Sequence, residues 1–187
     1  MKKLSKEDIL HILHSIDDQL IEPAEVIIGG QSAMILQDMD FRSTIDIDLL
    51  NLPSKQFVVC STKVNNYVFD YQAIGVIQLL EDYDARLIEI HDNFKNLIVK
   101  VVSLKDWVVS KLTSPKIDDV VANSEVTLEL LVDIKSDMYK YTGLSMEKAL
   151  TDLEFCIRDM TDKVDSQNHY DIFSNTSSFK DVGEETK

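Results

Sequence analysis

The segment at residues 26–50, VIIGGQSAMILQDMDFRSTIDIDLL, limits most strongly what this chain can fold into. Its β-branched run at 26–28 predicts a buried strand, and Gly29-Gly30 lets the backbone turn tightly behind that strand. A short helix is expected over residues 31–36. Strand alternation over residues 45–50 then sends Asp46 and Asp48 to one face and apolar residues to the other. A strand, a glycine turn, a helix and a second strand in direct succession predict a mixed α/β core.

The same segment carries groups that suit phosphate and metal. The first turn of the predicted helix has free N–H groups and a positive dipole end, which favours phosphate oxygens beside Gly30, Gln31 and Ser32. Two adjacent carboxylates on a rigid strand repel each other unless a cation joins them, and Mg²⁺ is usually held by one or two carboxylates plus substrate phosphates. Each signal alone is weaker: a glycine pair after a strand is often only a turn, and Asp-x-Asp also occurs on solvated strands and in metal-dependent glycosyltransferases.

Together, in this order, the motifs resemble the first motif of the nucleotidyltransferase superfamily. The branch to which they are most similar is the AbiEii-type toxins of abortive-infection and toxin–antitoxin systems, with related minimal nucleotidyltransferase domains. The resemblance implies a mixed sheet flanked by helices, with Mg²⁺ (or Mn²⁺) held by Asp46, Asp48 and a third acid on a following strand. It places the nucleotide contacts in the same segment: Gly29, Gly30, Gln31, Ser32, Arg42 and Thr44.

The resemblance continues to about residue 122. Glu89, in ARLIEI (85–90), matches the third acid, and Lys111, in WVVSKL (107–112), matches a downstream lysine. The last family motif, roughly Arg-x-Lys-Asp-x-x-Asp, is matched in part by residues 116–122. Lys116 begins that match, Asp119 fits the first aspartate, and Ala122 stands where the second is expected.

The residues themselves leave two of these roles open. Arg86 and Glu89 point to opposite faces of an ideal strand. This is consistent with Glu89 as a metal ligand and equally with an exposed edge strand, and Asp84 is the alternative acid. Lys111 falls in a predicted helix that Ser103 caps, where a solvated surface lysine is the other interpretation.

Composition bounds the class of protein. A chain of 187 residues that is 44% hydrophobic can bury a core. The charged N-terminus and the lack of an apolar run near the roughly 20 residues of a bilayer crossing predict a cytoplasmic protein. Cys60 and Cys156 are expected to be reduced core residues. A net charge of −14 argues against non-specific nucleic-acid binding. One segment, 95–116, is nevertheless rich in lysine and could border a nucleotide or RNA groove: Lys95, Lys100, Lys105, Lys111 and Lys116.

Periodicity predicts the organisation of the chain. A capped amphipathic helix is expected over residues 6–20, a helix over 53–64, an irregular connection over 67–83, strands at 86–90 and 97–102, and a helix around Trp107. We therefore expect an α/β (α+β) nucleotidyltransferase-like domain at 1–122 with a mixed sheet of about four to five strands. A helical extension follows at 123–163, and a polar, flexible tail at 164–187.

The expected function is Mg²⁺-dependent transfer of a nucleoside monophosphate from an NTP to an RNA (tRNA) or protein acceptor. In a toxin system a cognate antitoxin would be a further partner. Two alternatives remain. A protein that keeps the fold but has lost turnover, acting as a nucleotide-binding or regulatory module, would explain Ala122. A metal-dependent glycosyltransferase would explain Asp-x-Asp but not the glycine pair before it.

Overall fold

A computed structural model describes residues 3–39, 44–65, 69–71, 73, 76–112, 114–141, 143 and 145–176, with the backbone alone for 65 and 165–176. The helices are α1 (Lys6–Asp17), α2 (Gly30–Leu36), α3 (Lys55–Asn65), α4 (Leu104–Lys111), α5 (Asp118–Val121), α6 (Leu128–Asp137) and α7 (Met146–Thr176). The strands are β1 (Ala24–Ile28), β2 (Ile47–Asp48), β3 (Phe69–Asp70), β4 (Ile88–Glu89) and β5 (Leu97–Val101). Short 3₁₀ turns occur at Tyr83–Arg86 and Met138–Lys140.

The strands form a small mixed sheet in two joined parts. One part has the order β1-β5-β4, with β1 parallel and β4 antiparallel to β5. The other is the parallel pair β2-β3. An antiparallel bridge between Ile28 and Leu49 joins them, and the N–H of Leu50 donates to the carbonyl of Ile27 (2.8 Å). The mixed α/β class predicted from the sequence is confirmed, with β1 lying between β5 and the strand that carries Asp48.

Helix α1 begins where the sequence predicts it. Ser5 accepts from the backbone of Asp8, and the Asp8 carboxylate accepts from the backbone of Ser5, which is the capping box. The apolar stripe of α1 is buried. At its other end Asp17 is 2% exposed, and its carboxylate accepts from the backbone N–H groups of residues 95, 96 and 97 (2.7–2.8 Å). That carboxylate fixes the end of α1 to the start of β5.

Arg86 connects the turn before β4 to helix α4. Its sequence pattern predicts a strand, whereas Arg86 lies in the 3₁₀ turn before β4. Its guanidinium donates two bonds to Asp106 (2.7 and 3.1 Å) and one to Asp82 (2.6 Å). Asp106 is fully buried, and it also accepts from the hydroxyl of Ser103, the N-cap of α4. Arg86 therefore holds the first turn of α4 against the sheet.

The C-terminal helices pack on this core. Lys105 of α4 donates to Asp133 and Asp137 of α6 (2.6 Å each), and α6 packs against α7. Helix α7 continues to Thr176, past residue 163 where the tail was expected to begin. Residues 164–176 contain neither glycine nor proline, so nothing in them breaks helical hydrogen bonding.

Two smaller predictions concern the cysteines and the membrane. Cys60 and Cys156 are free thiols buried in the core, as predicted. Among the described residues, no helix combines the length and apolar character that a bilayer crossing requires.

Candidate functional site

Three carboxylates converge at the joined edge of β2 and β3. One ligand oxygen from each of Asp46, Asp48 and Asp70 lies within 4.8 Å of the others. Asp48 and Asp70 are neighbours in the parallel register of the two strands, and all three side chains are half-buried. The predicted aspartate pair is thus joined by a third acid from a separate strand. Three oxygens at this spacing are a donor set that a hard divalent cation accepts.

The charge state of Asp48 shows why a cation fits there. Burial raises the pKa of Asp48 to about 6, and the charges of Asp46 and Asp70 add to the rise. Lys111 and Lys116 act in the opposite direction and lower it. The cluster therefore holds more negative charge than its own lysines balance, and a bound divalent cation would remove this repulsion.

Thr44 orients the first aspartate. Its hydroxyl donates to the carboxylate of Asp46 (2.9 Å), and the side chain is buried. Its carbonyl in turn accepts from the N–H of Leu4 (2.7 Å). The resemblance implies that Thr44 also contacts the nucleotide, and that contact stays a prediction.

The glycine pair brings α2 close to Asp48. Gly30 has φ +58°, and a Cβ at that position would collide with the Asp48 carboxylate. The N–H of Gly29 donates to the carbonyl of Asp48 (2.9 Å). Ser32 is fully buried and its hydroxyl donates to the carbonyl of Gly29 (3.0 Å), while Gln31 is partly exposed. A side chain at Gly30 is excluded by both the backbone conformation and the space.

Two lysines from later in the chain act on Asp48 of this cluster, and an aspartate acts on the first of them. Lys111, in the last turn of α4, lies over the ring of Trp107 at 5.3 Å from its centroid. Burial and the charge of Lys116 lower the pKa of Lys111, while Asp119 and Asp48 raise it. Lys111 and Lys116 therefore act electrostatically on Asp48, and Asp119 acts on Lys111. Lys111 and Lys116 are called the lysine pair below.

Glu89 does not join the three carboxylates. It lies on β4, opposite Lys100 of β5, and its half-exposed side chain is 3.4 Å from the imidazole of His91. Strands β5 and β1 separate β4 from β2. Asp84 is also exposed and accepts from the N–H of Ala85 beside it.

Asp70 is the acid that the sequence pattern did not reveal. It lies in VFDY (68–71), a β-branched and aromatic run with one acid, inside the stretch that was expected to be irregular. That composition favours a strand. This composition was the only indication of a strand at Asp70, and a strand of two residues gives little pattern to detect.

The lysine-rich segment does not form a continuous basic edge. The lysine pair reaches the carboxylates, whereas the other three lysines bind acids of other elements: Lys95 with Asp18 (2.7 Å), Lys100 with Glu25 (2.7 Å), and Lys105 with Asp133 and Asp137 (2.6 Å each). The proposed basic border of an RNA groove is therefore divided over several faces. Arg42, the predicted basic residue of the first motif, lies outside the described residues.

Comparison with known families fits this geometry. A family model described as a nucleotidyltransferase of unknown function (DUF6036) matches residues 6–167. The match includes the glycine pair, the three carboxylates, the lysine pair and α6, so it extends past residue 122, where the motif resemblance ended. The chain belongs to this nucleotidyltransferase family, whose description implies an NTP as substrate. Comparisons with curated proteins and with solved structures found no match.

Proposed function

We propose that the protein transfers a nucleoside monophosphate from an NTP to a hydroxyl group of an acceptor, with Mg²⁺ or Mn²⁺ held by Asp46, Asp48 and Asp70. The observation that carries the proposal is the convergence of these three carboxylates next to Gly30 and the lysine pair. When bound, the metal would polarise the α-phosphate and stabilise the charge of departing pyrophosphate.

The remaining residues would bind and orient the nucleotide. The lysine pair would neutralise phosphate oxygens, and Asp119 would hold Lys111 toward them. Backbone N–H groups of Gly30, Gln31 and Ser32 would line the phosphate side of the site. Arg42 remains a predicted phosphate contact on the basis of its motif. Phosphoryl-type transfer depends mainly on such positioning and electrostatics, and these side chains would provide both.

Removing single acids tests the metal site. Mn²⁺ binding is measured by calorimetry for the native chain, Asp48→Asn, Asp70→Asn and the matched control Glu89→Gln. Loss of one of three ligands should weaken Mn²⁺ binding by about tenfold or more, whereas the control should bind as the native chain does. Loss of binding in Glu89→Gln, with native binding in Asp70→Asn, would exclude the proposed ligand set.

Label transfer tests the reaction. Each of the four α-³²P-labelled NTPs is incubated with Mg²⁺, the protein and a cell extract. Label should enter macromolecules with the native chain and with Glu89→Gln, and fall to background with Asp48→Asn and Asp70→Asn. Equal labelling by all four proteins would show that the three carboxylates have no part in transfer.

A second candidate is a nucleotide-binding regulatory module without turnover. Ala122, exposed at the C-cap of α5, stands where the last family motif expects an aspartate, and this residue favours the alternative. Such a protein would bind NTP with Mn²⁺ but transfer no label with any of the four nucleotides. An AbiEii-type toxin role, with a cognate antitoxin, is the biological setting that the order of the motifs suggests for an active enzyme.

A further inference from the structure

We infer that the acceptor is a protein, with basic residues around its target hydroxyl, and not RNA. This inference rests on the proposed function and adds to it the class of the second substrate. It follows from where the positive charges of the chain lie and from what already binds them.

Most described cations already have an anionic partner in the same chain. Nine of the described lysine and arginine side chains form ion pairs with its own carboxylates. Three of the five lysines in the 95–116 segment are among them, at 2.6–2.7 Å. A protein that binds a nucleic acid tightly neutralises several phosphates with Lys and Arg, typically about 6–10 of them. An RNA bound along the lysine-rich segment 95–116 would have to break these three ion pairs to obtain such contacts there.

The lysine pair would bind a different ligand, the triphosphate of the donor NTP. Lys111 and Lys116 both act on the charge of Asp48, so in the proposed function they would bind the triphosphate of the donor. Lys111 is half-buried against Trp107, which restricts its reach toward a second, larger substrate. Once an NTP is bound, these two charges are neutralised by its phosphates.

Two acids, Asp118 and Asp119, lie within three residues of Lys116 in the chain. Asp118 is exposed in the first turn of α5, directly before Asp119, which faces Lys111. Charges interact across about 8 Å at physiological ionic strength, so a phosphate chain approaching the site would be repelled. The net charge of −14 adds a long-range repulsion of the same phosphate chain. A basic protein surface would be attracted by the same field.

The reaction is balanced without any further reactant. The hydroxyl oxygen of a serine, threonine or tyrosine side chain forms a bond to the α-phosphorus of the NTP. The bond from that phosphorus to the oxygen bridging to the β-phosphate breaks, and pyrophosphate leaves with the bonding electron pair. The hydroxyl proton passes to solvent, and no atom changes its oxidation state.

Separate acceptor pools decide between protein and RNA. One extract is divided into a nuclease-treated protein pool and a deproteinised RNA pool. Each is incubated with the four α-³²P-labelled NTPs, Mg²⁺ and either the native chain or Asp48→Asn. We expect protease-sensitive, nuclease-resistant label in the protein pool at about ten times the level of the variant or more, with background in the RNA pool. Variant-sensitive label in the RNA pool overturns the inference and leaves the proposed function standing. Background in both pools overturns both.

A charge reversal tests the electrostatic argument itself. Asp118→Lys is compared with Glu147→Lys, because each replaces an exposed acid in the first turn of a helix. Lys163 of α7 donates to the carbonyl of Val121 at the end of α5, and Glu147 lies 16 residues earlier, about 24 Å along α7. Asp118→Lys should lower labelling of the protein pool about threefold, with the difference disappearing at high salt, and Glu147→Lys should not. Native-level labelling by Asp118→Lys, or increased labelling of RNA, contradicts a basic acceptor.

Discussion

Replacing Gly30 with alanine should damage the site and the fold together. At φ +58° an L-residue loses about 1–2 kcal/mol relative to glycine. The new Cβ would also collide with the Asp48 carboxylate, whose strand is held by hydrogen bonds on both sides, so the carboxylate must leave its position. We expect the free energy of unfolding to fall by about 2–4 kcal/mol and Mn²⁺ affinity to fall by about 10- to 100-fold.

Gly29→Ala is the matched control for this prediction. Gly29 has an extended backbone, φ −111°, and its added Cβ would meet the end of the Leu50 side chain at 2.9 Å. A side-chain end can shift, so a loss of about 1 kcal/mol or less and native Mn²⁺ affinity are expected. Urea unfolding measures the first quantity and calorimetry the second.

A double-variant cycle separates the two contributions at Gly30. In an Asp48→Ala background the collision is absent, so Gly30→Ala should lower the free energy of unfolding by only the backbone contribution of about 1–2 kcal/mol. Native Mn²⁺ affinity in Gly30→Ala, or an equal loss of affinity in Gly29→Ala, would contradict a specific collision between residue 30 and the Asp48 carboxylate.

Three further predictions concern individual side chains. The pKa of Asp48 is raised from 3.8 to about 6 in the folded chain, so the protonated group stabilises the fold below about pH 4, and this stabilisation is lost as the pH rises through 6. Without divalent cations, urea unfolding should show this loss in the native chain but not in Asp48→Asn, and a loss of equal size in both would contradict the burial of this carboxyl. Arg86→Met leaves the buried charge of Asp106 without its two bonds and should cost about 3–5 kcal/mol of unfolding free energy. Lys95→Met, which removes an exposed ion pair, should leave the urea midpoint almost unchanged. Thr44→Val removes the hydroxyl that orients the first aspartate and should weaken Mn²⁺ binding about tenfold, with little change in the urea midpoint; native affinity in that variant would show that the aspartate needs no such support.

Local sequence signals predicted the local structure well. The Ser5–Asp8 capping box and the N-cap at Ser103 are each made by residues three positions apart, and both occur as predicted. The aspartate pair also came from a local pattern. These features could be predicted because the residues that form them are close in sequence.

The third acid depended on distant pairing and was therefore harder to predict. Asp70 gains its place from a parallel register with Asp48, between strands of two residues each. Glu89 lies in a more regular hydrophobic pattern, but β4 pairs with β5 at the far side of the sheet. Strand order is set by contacts between residues remote in sequence, so local residue patterns do not reveal it.

The carboxylate of Asp17 has a consequence for synthesis of the chain. Its three backbone partners lie 78–80 residues later, at the start of β5, and β1 pairs with the same strand. On a ribosome that adds about 5–20 residues per second, the first helix and strand wait roughly 4–16 s before β5 has been made. During that interval Asp17 and Val26 lack their partners at β5, so α1 and β1 stay open to chaperones until β5 has been made.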